Sequence, residues 1–509
     1  ALLLPEWGEA QRRPPADLGV ALAELFAWVG DRLSYRQDAI ATEAYLGTAR
    51  RRVSVRRHAR LVDYDMHEGC VARTFVHLEV DADVVPAAPD APPALSAGTA
   101  LSTRLPGDSP VRIDDPEILA HAEVAFETMH DLRELRVAHN AISFHTWSDE
   151  SCCLPRGATR ATLKGTLDGL RPGDWLLIEE VVGPETLDIA DADPLHRCVV
   201  RLTGVQTRDP DGVLIDPLTG EPITEVSWSE EDALDFPVCI SVTGPSLGGV
   251  QPGNDGSAGA VEVSMARGNV VLADHGRTID AGPATRLGAV PPPALSRRVA
   301  RGSSRCAGTE PVPVPVRFRP MIPEAPLTFS TPLDYGRVES AREALRTDAA
   351  RALPAIRLDS VSADGRERLR WLPRRDLLDS QASDTHVVVE VDDEGRALLR
   401  FGDDESGRRP DTGTAFSARY RVGNGAAGNI GRESLVHVAT IESAIVRVHQ
   451  PLPAVGGTDP EHVEEVRLRA PVAFRRQARA VTPEDYAERA EECPGVQRAT
   501  AMFRWTGSW

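Results

Sequence analysis

The hydrophobic pattern near the start of the chain has the period of a long α-helix. From Asp17, whose side chain can cap a helix, to about Leu46, apolar residues recur at spacings of four and three. We expect this face to join an intermolecular helix bundle, because no second local helix of similar length accompanies it. Packing on the chain's own β domain is the alternative. The predicted interface residues on this helix are Leu18, Leu22, Leu25, Phe26, Trp28, Val29, Leu33 and Tyr35.

A basic segment follows Gly47, where arginines alternate with apolar residues such as Val53 and Val55. A solvated helix face is one interpretation. The other is a surface that docks onto an acidic partner, since guanidinium groups suit bidentate contacts with carboxylates. The second interpretation adds these residues to the predicted interface: Arg50, Arg51, Arg52, Arg56 and Arg57.

From Val71 the hydrophobic period changes to two, first over residues 74–80. Short segments of the same kind then recur between Gly, Pro and Asp turns, which predicts small β-barrels or sandwiches. The further predicted strands in this part of the chain are residues 124–126, 135–137, 175–178, 198–202 and 238–242.

Residues 284–326 are rich in proline, so we expect an extended connector that divides the chain and does not pair in a central sheet. Beyond it, two apolar segments around a turn predict a β-hairpin, and further strands and helices follow. A helix after the capping residue Thr482 precedes a strand from Val496. The hairpin strands are residues 387–391 and 397–401, the next strands are 416–422 and 435–440, and the helices are 460–469 and 485–492.

Together these patterns predict a mainly β protein with α+β parts. It has a long N-terminal helix, several small β-barrel or sandwich subdomains and a C-terminal α+β piece. A chain of 509 residues also exceeds the size at which one core stops growing. The expected segments are 1–70 (helical), 71–150 (β), 151–283 (β-rich), 284–326 (connector), 327–455 (β, with glycine turns) and 456–509 (α+β, truncated at its C-terminus).

The net charge of −19 opposes binding to nucleic acid or to an anionic membrane, so protein partners are expected. The cysteines are odd in number, scattered and without Cys-x-x-Cys spacing, which indicates reduced thiols in a cytoplasmic protein. No apolar run reaches the length of a membrane span, so we expect no membrane insertion. The seven cysteines are Cys70, Cys152, Cys153, Cys198, Cys239, Cys306 and Cys493.

Two motifs suggest nucleotide binding or hydrolysis and then fail on context. Gly423-x-Gly425-x-x-Gly428 has the dinucleotide spacing, but the residues that follow leave no room for the helix that receives a pyrophosphate. The Gly-x-Ser-x-Gly match at residues 244–248 is followed by glycines and a proline that forbid the helix of a hydrolase elbow.

Two clusters suggest a metal, and neither has suitable spacing. The histidines His121, His130, His139 and His145 lie near Cys152 and Cys153, but at intervals that match no zinc motif. The carboxylates Asp403, Asp404, Glu405 and Asp411 lack the alternation of a calcium loop. We therefore expect no catalytic residue, no cofactor and no metal, and a protein that is not an enzyme.

The residues from Phe401 to Pro410 and from Tyr420 to Ile430 carry glycines and an Asn-Gly pair between alternating strand-like residues. Such residues supply positive-φ turns, so these segments are predicted to be backbone architecture. The predicted structural turn residues are Gly402, Asp403, Gly407, Gly423, Gly425 and Gly428.

This Phe-Gly-Asp block, together with two others, resembles the baseplate J-like wedge proteins of contractile phage tails and phage-tail-like injection systems. The second block is residues 14–19 with 38–52, and the third is residues 456–461 with 479–486. One departure is Asp404, which stands where the family shows Gly.

The resemblance implies a structural wedge subunit that surrounds the central hub or spike in a ring and relays the contraction trigger to the sheath. The partners it implies are a second wedge protein, a small sheath-adaptor subunit, the hub or spike protein and neighbouring copies. It implies neither nucleic-acid binding nor membrane insertion.

A carbohydrate-binding or adhesin-like β protein is the alternative function. In that case Trp147, Trp175 and Trp228 would line a sugar groove. A free-standing adhesin, however, has no need of a long terminal helix with an apolar face.

Overall fold

The computed structural model describes residues 18–509 except 89, 106, 108–109, 115–117, 119–121, 211, 245–258, 298–310, 474–478, 492, 494–495, 506 and 508–509. The chain forms two compact units. The helical unit combines both ends of the chain, Ala1–Met66 and Glu461–Trp509, and the β unit is His67–Pro460. The polypeptide therefore passes between the two units twice.

The helices are α1 (Leu18–Thr42), α2 (Arg52–Arg60), α3 (Ala341–Leu345), α4 (Val463–Ala473) and α5 (Pro483–Glu491). Helix α1 confirms the predicted long N-terminal helix, although it ends four residues before Leu46, and Asp17 lies outside the described residues. The helix predicted after Thr482 is present as α5, which begins at Pro483, two residues before the predicted position 485. Thr482 Oγ1 accepts the Asp485 N–H at 3.2 Å, and Asp485 Oδ2 accepts the Thr482 N–H at 2.8 Å.

The described residues are mainly β, as predicted. The strands in the first half of the β unit are β1 (Arg73–Val80), β2 (Ala100–Thr103), β3 (Arg112–Ile113), β4 (Ala125–Thr128), β5 (Cys152–Leu154), β6 (Arg160–Lys164), β7 (Trp175–Glu180), β8 (Arg197–Gln206), β9 (Arg208–Asp209), β10 (Gly212–Val213), β11 (Ile223–Trp228), β12 (Val238–Gly244), β13 (Gly259–Glu262) and β14 (Ser264–Arg267). Those in the second half are β15 (Val270–His275), β16 (Arg277–Ile279), β17 (Arg286–Ala289), β18 (Ala294–Arg297), β19 (Pro311–Val314), β20 (Phe329–Ser330), β21 (Leu353–Pro354), β22 (Ile356–Val361), β23 (Arg368–Arg374), β24 (His386–Val391), β25 (Ala397–Phe401), β26 (Ala415–Val422), β27 (Leu435–Ala439) and β28 (Ile445–His449).

Four larger sheets organise the β unit. Sheet A has the order β28-β1-β15-β4-β2-β27-β3, and sheet B has the order β14-β7-β8-β11-β6. Sheet C is β13-β12-β5, and sheet D is β16-β26-β22-β23-β24-β25, with β17 also paired to β26. The predicted hairpin is confirmed, because β24 and β25 pair antiparallel with Val389 opposite Leu399. Sheet A thus combines strands from both halves of the unit.

The apolar cores lie between these sheets. Val76, Leu101 and Phe126 belong to a core on one face of sheet A. On its other face, Phe75 and Leu272 meet Trp175 and Leu177 of sheet B in a second core, which α3 also covers. A third core lies between sheets B and C, and a fourth lies inside sheet D.

Buried charges join the sheets where apolar contacts end. Glu179 of sheet B accepts from Arg267 Nε at 2.5 Å and from Nε2 of His449 in sheet A at 3.1 Å. In the same way, Arg421 of sheet D lies 2.7 Å from Asp274 and 3.0 Å from Glu127, both in sheet A. Buried pairs of this kind make each sheet's position depend on its neighbour, because an uncompensated buried charge is costly.

Three predictions about elements need correction. Residues 135–137 are not a strand, since Leu135 makes an isolated bridge to Val84 and a 3₁₀ turn begins at Val137. No strand follows Val496 within the described residues. The helical unit offers no described strand for it to pair with, and a lone strand leaves its backbone groups unsatisfied. Among the described residues after Glu461, the elements are the helices α4 and α5.

The proline-rich connector is only partly extended. Strand β17 pairs with β26, and β18 forms a two-stranded ribbon with β19. Pro311 and Pro313 lie within β19, a strand with a single neighbour, where a missing N–H need not break a ladder. Val290 and Ile322 are buried in the core of sheet D, so this segment contributes to the β unit.

Candidate assembly interface

The apolar stripe of α1 is open to solvent. None of the described residues of this helix is buried. Phe26 is 71% exposed, Leu33 is 62% exposed and Trp28 is 57% exposed. The rest of the predicted stripe is exposed as well: Leu18, Leu22, Leu25, Val29 and Tyr35. A contiguous apolar surface of this extent is typical of a protein interaction site.

The opposite face of α1 is acidic. Glu24, Asp31 and Asp38 recur at intervals of seven residues, which keeps them on one side of the helix. On the flank of the stripe, the Arg32 guanidinium lies 5.2 Å from the centre of the Trp28 ring. The helix therefore presents one apolar face and one polar face, the arrangement of a helix that packs against partners along one side only.

The segment after α1 is held in a fixed turn by Glu43. Its carboxylate accepts the N–H of Arg50 at 3.0 Å and of Arg51 at 3.2 Å, at the start of α2. Burial works to raise the pKa of this carboxyl, but hydrogen bonds from Ser54, Arg50 and Arg51 outweigh it, so the pKa is lowered. Thr48 Oγ1 donates to the Thr42 carbonyl at 2.7 Å. The direction of α1 is thus fixed relative to α2.

The two ends of the chain meet at Glu461. Arg52 Nη1 donates to the Glu461 carbonyl at 2.5 Å, and the Tyr64 hydroxyl donates to the buried Glu461 carboxylate. Burial and the adjacent Glu461 raise the pKa of Tyr64 to about 12. Around these contacts, α2 and α4 pack through a small core that contains Ala49, Val55, Ala59, Met66, Val466 and Ala470.

The structure separates the predicted arginine cluster into different roles. Arg50, Arg51 and Arg57 are exposed and Arg56 is half-buried. Arg52 does not lie on the expected docking surface, because its guanidinium is buried and satisfies a carbonyl of the α4 segment. Its place in the predicted interface is therefore corrected to a contact inside the helical unit.

Sequence reasoning did not identify Glu43, Tyr64 and Glu461 as structural anchors. Glu43 and Glu461 lie in the sequence blocks that carry the family resemblance, so the sequence did mark their positions. Their pairing was not, since the partners of Glu461 are about four hundred residues earlier in the chain.

The glycine turns of the β unit are set by close backbone approach as well as by positive φ. A Cβ on Gly402 would lie 2.0 Å from the Gly407 carbonyl oxygen, and one on Gly425 would lie 2.3 Å from Asp459 Oδ1. The positive-φ turn residues among those predicted are Gly407, Gly423 and Gly425, while Gly428 packs directly on the His275 ring.

Asp403 and Asp404 complete the first of these turns. Asp403 Oδ1 accepts the N–H of Ser406 at 2.9 Å and of Glu405 at 3.2 Å, and these hydrogen bonds lower the pKa of its carboxyl. Asp404 has φ of 75° and accepts the Arg409 N–H at 2.9 Å. The backbone at Asp404 thus has the conformation that favours the glycine of the family pattern.

The acidic turn shows no arrangement for a cation. Asp403 and Asp404 are engaged with backbone N–H groups, and Asp411 lies 3.4 Å from Arg408 Nη2. In the part of the chain that the structure describes, no cluster of three or more His, Cys, Asp or Glu residues is placed to hold a metal.

The histidines considered for zinc have separate environments. His130 stacks on Tyr335 and accepts from Trp175, whereas His145 pairs with Asp216 at 3.0 Å. Burial lowers the pKa of His139 to about 4. His121 lies outside the described residues.

The structure describes the first of the two enzyme-like motifs, but most of the second lies outside the described residues. Residues Gly425–Gly428 form one 3₁₀ turn, and the Asp459 carboxylate occupies the space in front of Gly425. A carboxylate at this position repels a phosphate. The Gly-x-Ser-x-Gly match falls mostly on residues 245–248, outside the described part of the chain.

The tryptophans of the sugar-binding alternative do not line one groove. Trp175 and Trp228 are buried core residues, and the Trp228 indole donates to the Ala158 carbonyl at 3.1 Å. Trp147 is 47% exposed and packs edge-on against His145. These three tryptophans therefore do not form the shared aromatic surface that sugar binding requires.

Across the residues that the structure describes, no helix combines the length and hydropathy that crossing a lipid bilayer requires.

Both ends of the chain match family models of known baseplate proteins. Residues 3–61 match the family model of the bacteriophage baseplate protein N-terminal domain, and residues 478–509 match that of the Baseplate J-like central domain. The predicted resemblance to baseplate J-like proteins is confirmed by these matches. Both segments belong to the helical unit. These matches support a structural role in a baseplate of the phage-tail type.

No curated protein matches this chain. Among solved structures, a chain of the type VI secretion system TssK-TssF-TssG baseplate subcomplex, determined by cryo-electron microscopy, aligns over 87% of this chain and 75% of its own length. The sequence identity is 14% and the TM-score is 0.29. Similarity at this level indicates neither partners nor assembly for this chain.

Proposed function

We propose that this chain is a non-enzymatic wedge subunit in the baseplate of a contractile injection system. Copies would form a ring around the central hub or spike and relay the trigger to sheath contraction. The partners would be a second wedge protein, a small sheath-adaptor subunit, the hub or spike protein and neighbouring copies, and assembly would take place in the cytoplasm. The observation that carries the proposal is the exposed apolar stripe of α1 in a unit that matches baseplate family models.

The stripe supports a helix bundle because its apolar side chains contribute free energy only when a partner buries them. Burying one large apolar side chain contributes about 1.5 to 3 kcal/mol. Several such side chains follow one another along α1, including Leu22, Leu25 and Val29. A partner helix that covers this face would therefore bind tightly, and without one the same face would promote nonspecific association.

The anchored base of α1 supports a role in relaying a signal. Glu43 and Thr48 fix the turn after α1, and the core around Val55 and Val466 continues from it. A displacement of the bundle would thus reach α2 and α4 through hydrogen-bonded and packed groups. A trigger of this kind needs two sets of interfaces that are close in free energy.

We predict that Leu25→Asp reduces binding of the partner subunits by at least about 100-fold, because a buried apolar contact is lost and a charge enters the bundle. Ala27→Asp is the matched control, since it adds the same charge about half a helical turn away on the polar face. Co-purification of both variants with the second wedge protein measures the effect, and circular dichroism checks the β unit. Equal co-purification of Leu25→Asp and wild type would remove the bundle proposal.

Deletion of the gene in the producing bacterium tests the role as a baseplate part. Electron microscopy is expected to show no assembled sheathed particles in the deletion strain and restored particles after complementation. Complementation with Leu25→Asp is expected to fail, whereas Ala27→Asp restores assembly. Normal contractile particles in the deletion strain would contradict the proposed function.

A further inference from the structure

Cys153 and Cys239 lie opposite one another on neighbouring strands. Strands β5 and β12 of sheet C run antiparallel, with Cys239 as the Cα partner of Cys153 and Val238 as the partner of Leu154. Residues directly opposite each other in an antiparallel pair point their side chains to the same face. The two thiols therefore share one face of sheet C.

The burial of the neighbouring residues identifies this face as the outer one. Cys153 is exposed and Cys239 is partly exposed. Alternation along β5, and from Cys239 to Val238 in β12, turns the flanking side chains to the opposite face, and a register shift follows Cys239. The flanking side chains that pack in the core between sheets B and C are Cys152, Leu154, Val238 and Ile240.

We propose that Cys153 and Cys239 are a redox pair that forms a cross-strand disulfide when a low-molecular-weight disulfide is present. Opposite residues of an antiparallel pair have Cα atoms about 4.5 or 5.5 Å apart. A disulfide requires Cα atoms about 4.4 to 6.8 Å apart. Both possible separations lie within that range, so the backbone positions permit the bond.

The chemistry is a two-step thiol–disulfide exchange. The Cys153 thiolate attacks one sulfur of glutathione disulfide, forms a mixed disulfide and releases one glutathione thiolate. Cys239 then loses its proton and attacks the Cys153 sulfur, which releases the second glutathione. The protein gives up two electrons and two protons, and glutathione disulfide is reduced to two thiols.

The two cysteines differ in readiness to react. Burial is the main cause that raises the pKa of Cys239 to about 12, and the neighbouring Cys153 raises it further. Only the thiolate is nucleophilic, so the exposed Cys153 is the attacking residue and Cys239 resolves the mixed disulfide.

The disulfide would close a loop of the chain that contains most of the strands of sheet B. The chain between the two cysteines contains β6, β7, β8 and β11, which are four of the five strands of that sheet. A cross-link over a loop of this length stabilises the folded protein chiefly by constraining the unfolded chain. Oxidation would thus fasten the edge strand β5 to β12 and make sheet B harder to unfold.

Disulfide mapping tests the proposal on the full chain. The protein is equilibrated with glutathione disulfide, free thiols are blocked with N-ethylmaleimide, and tryptic peptides are analysed without reduction. Peptide 137–156, which contains Cys152 and Cys153, is expected to be joined to peptide 209–267, which contains Cys239. The midpoint of thermal unfolding is expected to rise by at least about 3 °C on oxidation.

Three variants decide which sulfur atoms are joined. Cys152→Ala is the matched control, since it removes the adjacent thiol on the core face, and it is expected to keep the joined peptides. Cys153→Ser and Cys239→Ser are expected to lose both the joined peptides and the thermal shift, with circular dichroism showing that they fold. A link that survives in Cys153→Ser, or no link in wild type at any ratio of glutathione disulfide to glutathione, would overturn the proposal.

Discussion

Glu179→Gln is expected to lower the free energy of unfolding of the β unit by about 3 to 5 kcal/mol. The Glu179 carboxylate is buried and accepts from Arg267 Nε at 2.5 Å and from His449 Nε2 at 3.1 Å. The amide keeps the size of the side chain but removes the charge. Arg267 then loses its counter-charge and His449 keeps only Glu433, whose carboxylate lies 3.1 Å from Nδ1, so excess buried positive charge is the main cost.

The midpoint of guanidinium unfolding, followed by tryptophan fluorescence of the full chain, measures this loss. Glu225→Gln is the matched control, because Glu225 is an exposed residue of β11 in the same sheet as Glu179. It is expected to change stability by no more than about 0.5 kcal/mol. Similar midpoints for Glu179→Gln and the control would show that the pair does not hold sheets A and B together.

The buried contact between Glu179 and His449 makes the stability of the β unit depend on pH. Burial raises the pKa of the Glu179 carboxyl, but hydrogen bonds and charges from His449 and Arg267 outweigh it and hold the pKa at about 2. Its contribution is therefore complete above its unfolded pKa of 4.5 and is lost as the pH falls to about 2.

His449 acts on the other side of this range. Burial lowers its pKa, but the hydrogen bonds to Glu179 and Glu433 outweigh burial and leave the pKa raised above 6.5. Its contribution is complete below pH 6.5 and is lost as the pH rises through the raised pKa. Unfolding midpoints from acid to alkaline pH should show that Glu179→Gln flattens both declines. Unchanged pH dependence in this variant would contradict the assignment.

Gly425→Val is expected to destabilise the β unit by at least about 3 kcal/mol, because a β-branched residue is placed at positive φ against a fixed neighbour. The φ of Gly425 is 74°, and a Cβ there would lie 2.3 Å from Asp459 Oδ1. Asp459 cannot simply turn away, since the same oxygen accepts the Ala426 N–H at 2.8 Å.

Gly431→Val is the control for this substitution. Gly431 has no positive φ, and the nearest atom to its Cβ position is Ser434 Oγ at 3.9 Å. It should unfold at nearly the same denaturant concentration as wild type. Under the proposed function, Gly425→Val should also fail to enter assembled particles, whereas Gly431→Val should enter them. Wild-type stability of Gly425→Val would show that the turn tolerates a side chain.

Local patterns in the sequence predict much of this fold. The spacing of four and three in α1, the alternation in β1, and the turn between β24 and β25 each depend on residues close together in the chain. Glycine positions such as Gly407 also follow from local chemistry, because few other residues adopt the required φ.

The features that the sequence does not predict depend on distant partners. Residues 135–137 have the composition of a strand, but their backbone groups are satisfied by an isolated bridge and a 3₁₀ turn. Arg52 belongs to a basic run, yet a carbonyl at position 461 determines its burial. Cys153 and Cys239 are far apart in sequence, and only the register of β5 and β12 shows that they face each other.

The path of the chain between its two units has a mechanical consequence. Near the passages, Cys70 and Thr458 exchange backbone hydrogen bonds of 2.8 and 2.9 Å, so the two connecting segments leave the β unit side by side. A pulling force on the helical unit would therefore be transmitted through two covalent connections.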